Sequence, residues 1–164
     1  MKTTIIAGGV LVLVAIGMSA LASEKETAIK REALPAPVQS ALDARYPGAE
    51  VLGMSEEKEK GKTLYEIEMK VAGRRVDAVF AADGARHEEE AEIPASELPA
   101  AVTASHGHSA QAKSTINRVE KITLGTDKAA SRYELLVTDG KKQLELVYAA
   151  DGKRLSAKKT DEKD

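Results

Sequence analysis

One phrase occurs twice in this sequence, and the repetition constrains the fold more than any other feature does. VFAADGAR runs from Val79 to Arg86, and VYAADGKR runs from Val147 to Arg154. Two further pairs of phrases align upstream of them: YEIEMK from Tyr65 with YELLVT from Tyr133, and LPAPVQSAL from Leu34 with LPAAVTASH from Leu98. Two long copies indicate that a whole structural unit has been duplicated, because a solenoid requires three or more repeats.

Each copy predicts one helix followed by antiparallel strands. In the first copy Pro35 is tolerated in a first helical turn, and Val38 and Leu42 follow at helical spacing. The YPG sequence from Tyr46 then ends the helix. In the second copy HGHSAQAKS stands in the place of YPGAEV, so the end of the second helix is left open.

The strands are predicted by apolar residues that alternate with charged ones between turn signals. Tyr65, Ile67 and Met69 alternate with charged residues, which is typical of a half-buried strand. Asp139-Gly140 predicts a two-residue hairpin turn, and AADG predicts the turn between the third and fourth strands of each unit. A calcium loop would need further carboxylates beside Asp-Gly, so the ease with which glycine takes a positive φ explains these pairs instead.

The chain contains no cysteine, so its fold depends on a packed core rather than on disulfides. A unit of about 65 residues would be marginally stable alone. We therefore predict an α+β fold in which two tandem helix-plus-antiparallel-strand repeats form one antiparallel sheet with both helices on one face. The predicted domains are a signal peptide (1–22), a flexible N-terminal segment (23–33), a first repeat (34–93), a second repeat (94–160) and a charged tail (161–164).

The N-terminal sequence predicts export. Lys2 precedes an apolar run from Ile5 to Ile16, and Ala20-Leu21-Ala22 has the small-x-small pattern of a signal-peptide cleavage site. An uncleaved membrane anchor is the alternative, but glycines interrupt the run, which is shorter than the roughly 20 residues of a spanning helix. We expect cleavage after Ala22, no stable membrane insertion afterwards, and a periplasmic or secreted protein.

These motifs resemble those of the PepSY-like family, which is also called beta-lactamase-inhibitor-like. The resemblance rests on the LP..V helix start, the YPGA helix end of the first copy, the YE strand and the DG turn, and it covers roughly Leu34 to Leu155. It implies a small exported bacterial protein whose tandem units present a concave sheet face to a partner. The second copy departs from the family pattern at HGHSAQAKS.

The three histidines are the candidate metal ligands. His106 takes the place that Leu42 has in the first copy, and His108 lies two residues further on. A His-Gly-His stretch can bind copper, nickel or zinc when a third ligand approaches, and the alternative is a polar helix end. His87 leads into EEEAE and shares a strand face with Glu89; the alternative to a metal role there is a charged edge strand that blocks aggregation. We assign no metal site to these residues alone.

The outer face of the predicted sheet is the candidate site for a partner. Pairing across the first hairpin puts Glu68 beside Asp77, with Glu66 nearby. Pairing across the second hairpin puts Glu134 opposite Glu145. Like charges in opposite positions destabilise a sheet slightly. Their presence in both copies indicates either an acidic surface for a cationic partner or metal ion, or a solvated face that tolerates them.

Composition and motifs limit the functions that this chain can have. A formal net charge of −2 argues against nucleic-acid binding, which requires a concentrated basic face. No Ser/His/Asp arrangement, phosphate loop or His-Glu helix motif occurs, so we assign no catalytic residue and no cofactor. Our hypothesis is a non-enzymatic exported binding module that recognises an unknown protein or peptide through an open sheet face. The alternative is a small periplasmic metal sensor or buffer that uses the histidines and the acidic runs.

The few aromatic residues predict that any partner is bound weakly. The chain has no tryptophan, and interface hot spots are usually tryptophan, tyrosine or arginine. Strand alternation places four aromatic side chains under the helices: Tyr65, Phe80, Tyr133 and Tyr148. The side chains left to face a partner are mainly Tyr46, Arg74, Arg75 and Arg86. We therefore expect salt-sensitive binding in the micromolar range.

Overall fold

The computed structural model describes residues 26–59, 61–125 and 131–160. The predicted signal peptide and the charged tail at 161–164 lie outside the described residues. The helices are α1 (Ala36–Arg45) and α2 (Ala100–Gly107), each preceded by a short 3-10 helix (Arg31–Ala33 and Ala95–Glu97). The strands are β1 (Thr27–Ala28), β2 (Glu50–Glu59), β3 (Lys62–Val71), β4 (Arg74–Ala81), β5 (Arg86–Glu92), β6 (Thr115–Leu124), β7 (Arg132–Asp139), β8 (Lys142–Ala149) and β9 (Arg154–Lys159).

Within the described residues, nine strands form one open antiparallel sheet in which spatial order follows chain order from β1 to β9. The first helix lies between β1 and β2 in the chain, and the second lies between β5 and β6. The predicted mixture of helices with an antiparallel sheet is therefore confirmed. The two AADG turns join β4 to β5 and β8 to β9, which are the places that the sequence predicts.

Each helix packs on its own group of strand residues. In α1, Val38 and Leu42 are buried in a cluster with Ile67, Met69 and Phe80 of β3 and β4. In α2, Val102 is buried in a second cluster, together with these residues of β6, β7 and β8: Val119, Tyr133, Leu135, Val137, Leu146 and Tyr148. The alternation that predicted these strands thus fills two separate parts of the core.

The position of β5 differs from the prediction. The sequence predicts an edge strand at His87, but β5 pairs with β4 on one side and with β6 on the other. The acidic run after His87 therefore belongs to an interior strand, because the backbone groups of β6 satisfy its second edge. The predicted charged-edge role of His87 is wrong for the same reason.

The N-terminal segment also differs from its prediction as a flexible stretch. Thr27 and Ala28 pair with β2, and the backbone amide of Ile29 donates a hydrogen bond to the carbonyl of Met54 at 2.9 Å. Ile29 is half-buried against the cluster under α1. These contacts attach the segment to the sheet and make β1 one of its two edges.

Two glycines explain why the AADG turn occurs twice. Gly84 has a φ of +83°, and a Cβ atom placed on it would lie 2.6 Å from the carbonyl oxygen of Pro37 in α1. Gly152 has a φ of +87°, and its Cβ atom would lie 2.4 Å from the carbonyl oxygen of Ala101 in α2. Each turn therefore contacts the first turn of a helix closely, and only glycine meets both the backbone and the steric requirement.

Alanine at these turns should be more damaging than alanine at an open turn. We expect Gly84→Ala and Gly152→Ala each to lower the free energy of unfolding by about 2–4 kcal/mol, because a left-handed backbone and a clash add together. Gly140→Ala is the control, since Gly140 has a φ of +63° and a Cβ atom added to it would meet nothing within 4 Å. It should cost only about 1–2 kcal/mol. Equal losses in urea denaturation for the three variants would contradict the proposed helix contact.

Candidate functional site

Seven acidic side chains with raised pKa values share one face of the sheet, and we call this group the acidic face. Strand alternation places them there, because their neighbours in sequence belong to the core clusters under the helices. The seven residues are Glu66 and Glu68 of β3, Asp77 of β4, Glu90 of β5, Glu120 of β6, Glu134 of β7 and Glu145 of β8. Glu88 and Glu92 lie on the same side of the sheet, opposite Val79 and Glu120.

The five carboxylates predicted from the sequence all lie on the acidic face, but one predicted pair is not opposed. Glu68 lies directly opposite Asp77, as expected. Glu134 lies opposite Val147 rather than opposite Glu145. The pairing of Asp139 with Lys142 shows that the hairpin loop is Gly140-Lys141, one residue later than predicted. This register places Glu134 and Glu145 on a diagonal and keeps both on the same face.

Sequence reasoning missed two members of the acidic face. Glu90 lies opposite Asp77, and Glu120 lies opposite Glu134, so carboxylates face each other across strand pairs in both halves of the sheet. Glu90 was overlooked because the acidic run in β5 was interpreted as an edge and linker. Its alternation with the half-buried Ala91 was the signal that could have identified it.

These side chains are far less accessible than a solvated acidic surface would be. Glu66, Asp77 and Glu145 are only 5%, 3% and 2% exposed. Among the described residues, four of the seven carboxyl groups have one buried oxygen without a hydrogen-bond partner: Glu66, Asp77, Glu90 and Glu145. The face therefore contains acceptors that the described part of the chain leaves unsatisfied, and buried acceptors of this kind are costly.

Burial changes the protonation of the acidic face. It raises the pKa of Glu66 to about 8, with a further contribution from the negative charges of Glu26 and Asp77. It also raises the pKa of Glu134 to about 8, with the nearby charge of Glu145 adding to the effect. The pKa of Glu90 is raised as well, by burial first and by the charge of Glu134 next. At neutral pH these groups are therefore mostly protonated, because a buried carboxylate without a cation is unstable.

Three basic side chains neutralise part of the face. Arg75 forms ion pairs with Glu68 and Asp77, both at 3.1 Å. Arg118 forms an ion pair with Glu120 at 3.1 Å. Lys158 of β9 lies opposite Glu145, and its charge opposes the rise in the pKa of that carboxyl. Some carboxyl groups of the acidic face therefore have a basic neighbour, and others do not.

The histidine candidates do not come together. His106 is buried in α2, where its ring meets Tyr148 edge-on with centroids 6.4 Å apart, and burial lowers its pKa. The exposed His108 ring instead lies 2.7 Å from the carbonyl oxygen of Ala104 at the helix end. The second helix ends at Gly107, which answers the question that the sequence left open. His87 is exposed on β5.

Neither a metal site nor a membrane span is found in the part of the chain that the structure describes. Within residues 26–59, 61–125 and 131–160, no three His, Cys, Asp or Glu side chains are grouped so that they could hold a metal ion. The histidine-based metal hypothesis therefore gains no support from their placement. Over the same residues, no helix has the length and apolar character needed to cross a bilayer.

Two residues predicted to face a partner are buried instead. The hydroxyl of Tyr46 donates a hydrogen bond to Glu89, and burial together with this carboxylate raises the pKa of Tyr46 to about 12. Arg86 donates to the same carboxylate and, at 2.7 Å, to the carbonyl of Gly125. This network joins the end of α1 to β5 and to the chain after β6. The prediction that Tyr46 and Arg86 are surface groups is wrong, because their polar ends find partners inside.

The fold and the acidic face define a small mixed helix-and-sheet protein with a buried carboxyl array. The family model described as "Putative beta-lactamase-inhibitor-like, PepSY-like" matches residues 20–85 and 63–155. The chain therefore belongs to the PepSY-like family, and the resemblance noted in its sequence is confirmed. No curated protein matches the chain.

Several solved structures share the fold. A protein from Bacteroides eggerthii described as one of the "putative periplasmic proteins" is similar at 19% identity, with a TM-score of 0.63, over 76% of this chain and 88% of that one. A BLIP-like protein from Bacteroides fragilis is similar at 22% identity, with a TM-score of 0.59, over 79% of this chain and 89% of that one. At these identities the likeness establishes the fold alone.

The raised pKa values predict that stability falls as pH rises. A carboxyl whose pKa increases on folding binds its proton more tightly in the folded state, so unfolding becomes easier between its unfolded pKa of 4.5 and its folded pKa of about 8. We expect Glu66→Gln to remove this dependence at one site. The variant should then be more stable than the wild type at pH 9 by about 1–3 kcal/mol.

Urea denaturation at pH 5, 7 and 9 checks this expectation. Glu97→Gln is the matched control, because the Glu97 side chain is 52% exposed outside the acidic face. Its stability should follow that of the wild type at every pH. A Glu66→Gln protein that is less stable than the wild type at pH 9 would show that the carboxylate is satisfied in the folded state.

Proposed function

We propose that this protein is a non-enzymatic exported module that binds a cationic segment of another protein or peptide through the acidic face. The observation that carries the proposal is the set of buried carboxyl oxygens without hydrogen-bond partners among the described residues. Such oxygens are costly in the free protein and gain most from a donor that a partner supplies. A solvated face of ordinary structural carboxylates would leave them in contact with water instead.

The proposed architecture comprises two tandem repeats with both helices on the face opposite the carboxylates. The strand register supports this architecture, because one row of directly paired residues crosses the sheet from β3 to β8. The row consists of Met69, Val76, Ala91, Lys121, Tyr133 and Tyr148. The first two of these residues belong to the cluster under α1, and the last two belong to the cluster under α2. Residues in one such row point to the same side of a sheet. A partner could then approach the acidic face without displacing a helix.

A binding role accounts for the raised pKa values without catalysis. Perturbed carboxyls also occur in active sites, where they line a cleft that admits substrate. A cavity of about 270 Å³ lies at the end of α1 instead, lined by Arg31, Leu42, Asp43, Tyr46, Pro47, Gly48, Ala49 and Val51. None of these residues belongs to the acidic face. The carboxyl array extends across six strands of an open sheet, which suits donors from a macromolecule better than a small substrate.

The proposed location is the periplasm or the cell exterior, after cleavage behind Ala22. The small-x-small sequence at Ala20–Ala22 supports cleavage, and the description of the similar Bacteroides eggerthii protein as periplasmic supports export. Mass spectrometry of the protein from an exported fraction tests this directly, since the mature chain should begin at Ser23.

The proposed binding is modest in strength because the aromatic side chains are unavailable. The chain has four tyrosines, one phenylalanine and no tryptophan. All five aromatic residues are buried: Tyr46, Tyr65, Phe80, Tyr133 and Tyr148. A partner therefore meets charged and small apolar side chains. Ion pairs that stay accessible to solvent contribute about 0–1 kcal/mol each, so we expect dissociation constants on the order of micromolar.

A capture experiment on the exported fraction tests the acidic face. Immobilised wild-type protein should retain a specific partner, and its retention should fall steeply at about 1 M salt, where the Debye length is near 3 Å. This retention should be lost in a variant with Glu66, Glu68, Glu134 and Glu145 all changed to Gln. The control carries Asp43→Asn and Glu97→Gln, two exposed acidic residues outside the face. Equal capture by the two variants would exclude this surface.

The family description also leads to an expectation about enzyme inhibition. We expect no nanomolar inhibition of representative beta-lactamases, because tight protein inhibitors use aromatic anchors in desolvated pockets and none is exposed here. Steady-state hydrolysis of a chromogenic lactam, measured with and without the protein, checks this. Nanomolar inhibition that persists at high salt would contradict the modest, electrostatic binding proposed above.

A further inference from the structure

We propose that Glu66, Asp77 and Glu90 form a subsite for one guanidinium group, namely an arginine side chain of the bound partner. The inference rests on the proposed function and names the chemistry of the group that is recognised. The three residues come from the neighbouring strands β3, β4 and β5.

Register places the three carboxyl groups on one face of the sheet, with Asp77 on the strand between the other two. Asp77 lies directly opposite Glu90, and it lies opposite Glu68, the residue two positions along β3 from Glu66. Directly opposed side chains have Cβ atoms about 4.5–5.5 Å apart, and diagonal neighbours are about 7–8 Å apart. Each of the three residues is at least nine-tenths buried, and each has one carboxyl oxygen without a partner among the described residues.

The local charge distinguishes Glu66 and Glu90 from the rest of the acidic face, whereas Asp77 between them has the pKa-lowering charges of Arg75 and Arg118. All of the charges that shift the pKa of Glu66 are acidic, and the same holds for Glu90. Glu120, Glu134 and Glu145, by contrast, each have the pKa-lowering charge of Arg118. Compensating positive charge is therefore lacking at Glu66 and Glu90, the two members of the trio on either side of Asp77.

Asp77 shows which cation suits this environment. One of its oxygens already accepts a hydrogen bond from the guanidinium Nε of Arg75 at 3.1 Å, while the other oxygen has no partner among the described residues. The same guanidinium also donates to Glu68 at 3.1 Å. The chain itself thus bridges two carboxylates of this face with one arginine, and a second guanidinium from a partner would do the same for Glu66, Asp77 and Glu90.

A guanidinium also fits better than an ammonium or a metal ion. It is more weakly hydrated than an ammonium and presents its donors in a planar fork, so it can bridge acceptors on separate strands at a lower desolvation cost. A divalent cation requires oxygens that converge around one point, and no such group occurs within the described residues. The spacing of the trio therefore favours a flat, multivalent donor.

Binding at this subsite exchanges protons for the cation. Burial and neighbouring negative charges keep protons on Glu66 and Glu90 at neutral pH, and a guanidinium favours their charged forms. Arginine binding therefore releases protons, and affinity increases as pH rises toward the raised pKa values. Glutamate has rotatable bonds through which the carboxyl can turn outward to meet the incoming group.

The experiment is a carboxyl ¹³C NMR titration of the full mature chain, labelled at glutamate and aspartate. It is repeated at equal ionic strength with Nα-acetyl-arginine amide, with Nα-acetyl-lysine amide and with sodium chloride. With the arginine compound, the titration midpoints of Glu66 and Glu90 should fall by about one pH unit relative to the lysine compound. The midpoint of Glu145, beside Lys158, should not differ between the two compounds.

Two variants and one comparison complete the test. Glu90→Gln should abolish the arginine-specific shift at Glu66, whereas Glu97→Gln should leave it unchanged. Equal shifts with arginine, lysine and sodium chloride would overturn the subsite, because they would show general screening. If the face captures a partner in the exported fraction without an arginine-specific shift, the subsite alone is wrong. If capture and shift both fail, the proposed function falls as well.

Discussion

The two-residue period of the strands is the constraint on which the rest of this structure depends. It sends apolar side chains such as Ile67 and Leu135 into the two core clusters, and it sends Glu66 and Glu134 to the other side of their strands. Because the strands pair in chain order, the same alternation continues across the whole sheet and aligns carboxyls from six strands. The stable core and the electrostatically unfavourable face are therefore two results of one pattern.

The chain compensates for the acidic face only partly. Arg75, Arg118 and Lys158 neutralise some carboxyls, and protonation reduces the charge of others. Protonation is the less favourable solution, because it leaves acceptors unpaired at Glu66 and Glu90. A chain under selection for stability alone could replace these residues with glutamine or threonine. Their presence is consistent with a surface whose preferred state includes a partner, as natural proteins often sacrifice stability at functional sites.

Much of the fold could be predicted because its signals are local. The helix starts, the alternation in β3 and the turns at Gly84 and Gly152 each depend on residues close together in sequence. The errors arose where the outcome depends on distant pairing. Nothing local shows that β5 pairs with β6, so His87 was placed on an edge and Glu90 was missed. Tyr46 and Arg86 were placed at the surface because their shared partner, Glu89, is remote from Tyr46 in sequence.

Most residues of the acidic face were predicted from the sequence, but their burial was not. Five of the seven carboxyls were identified from alternation, and the error in the second hairpin did not matter, because a register change of two residues keeps every side chain on its face. Burial could not be deduced in the same way, since it depends on the packing of neighbouring strands. Yet burial determines the chemistry: an exposed acidic patch attracts any cation weakly, whereas buried carboxyls with unpaired oxygens discriminate by desolvation cost and donor geometry. The selectivity proposed for this face therefore depends on burial as well as on charge.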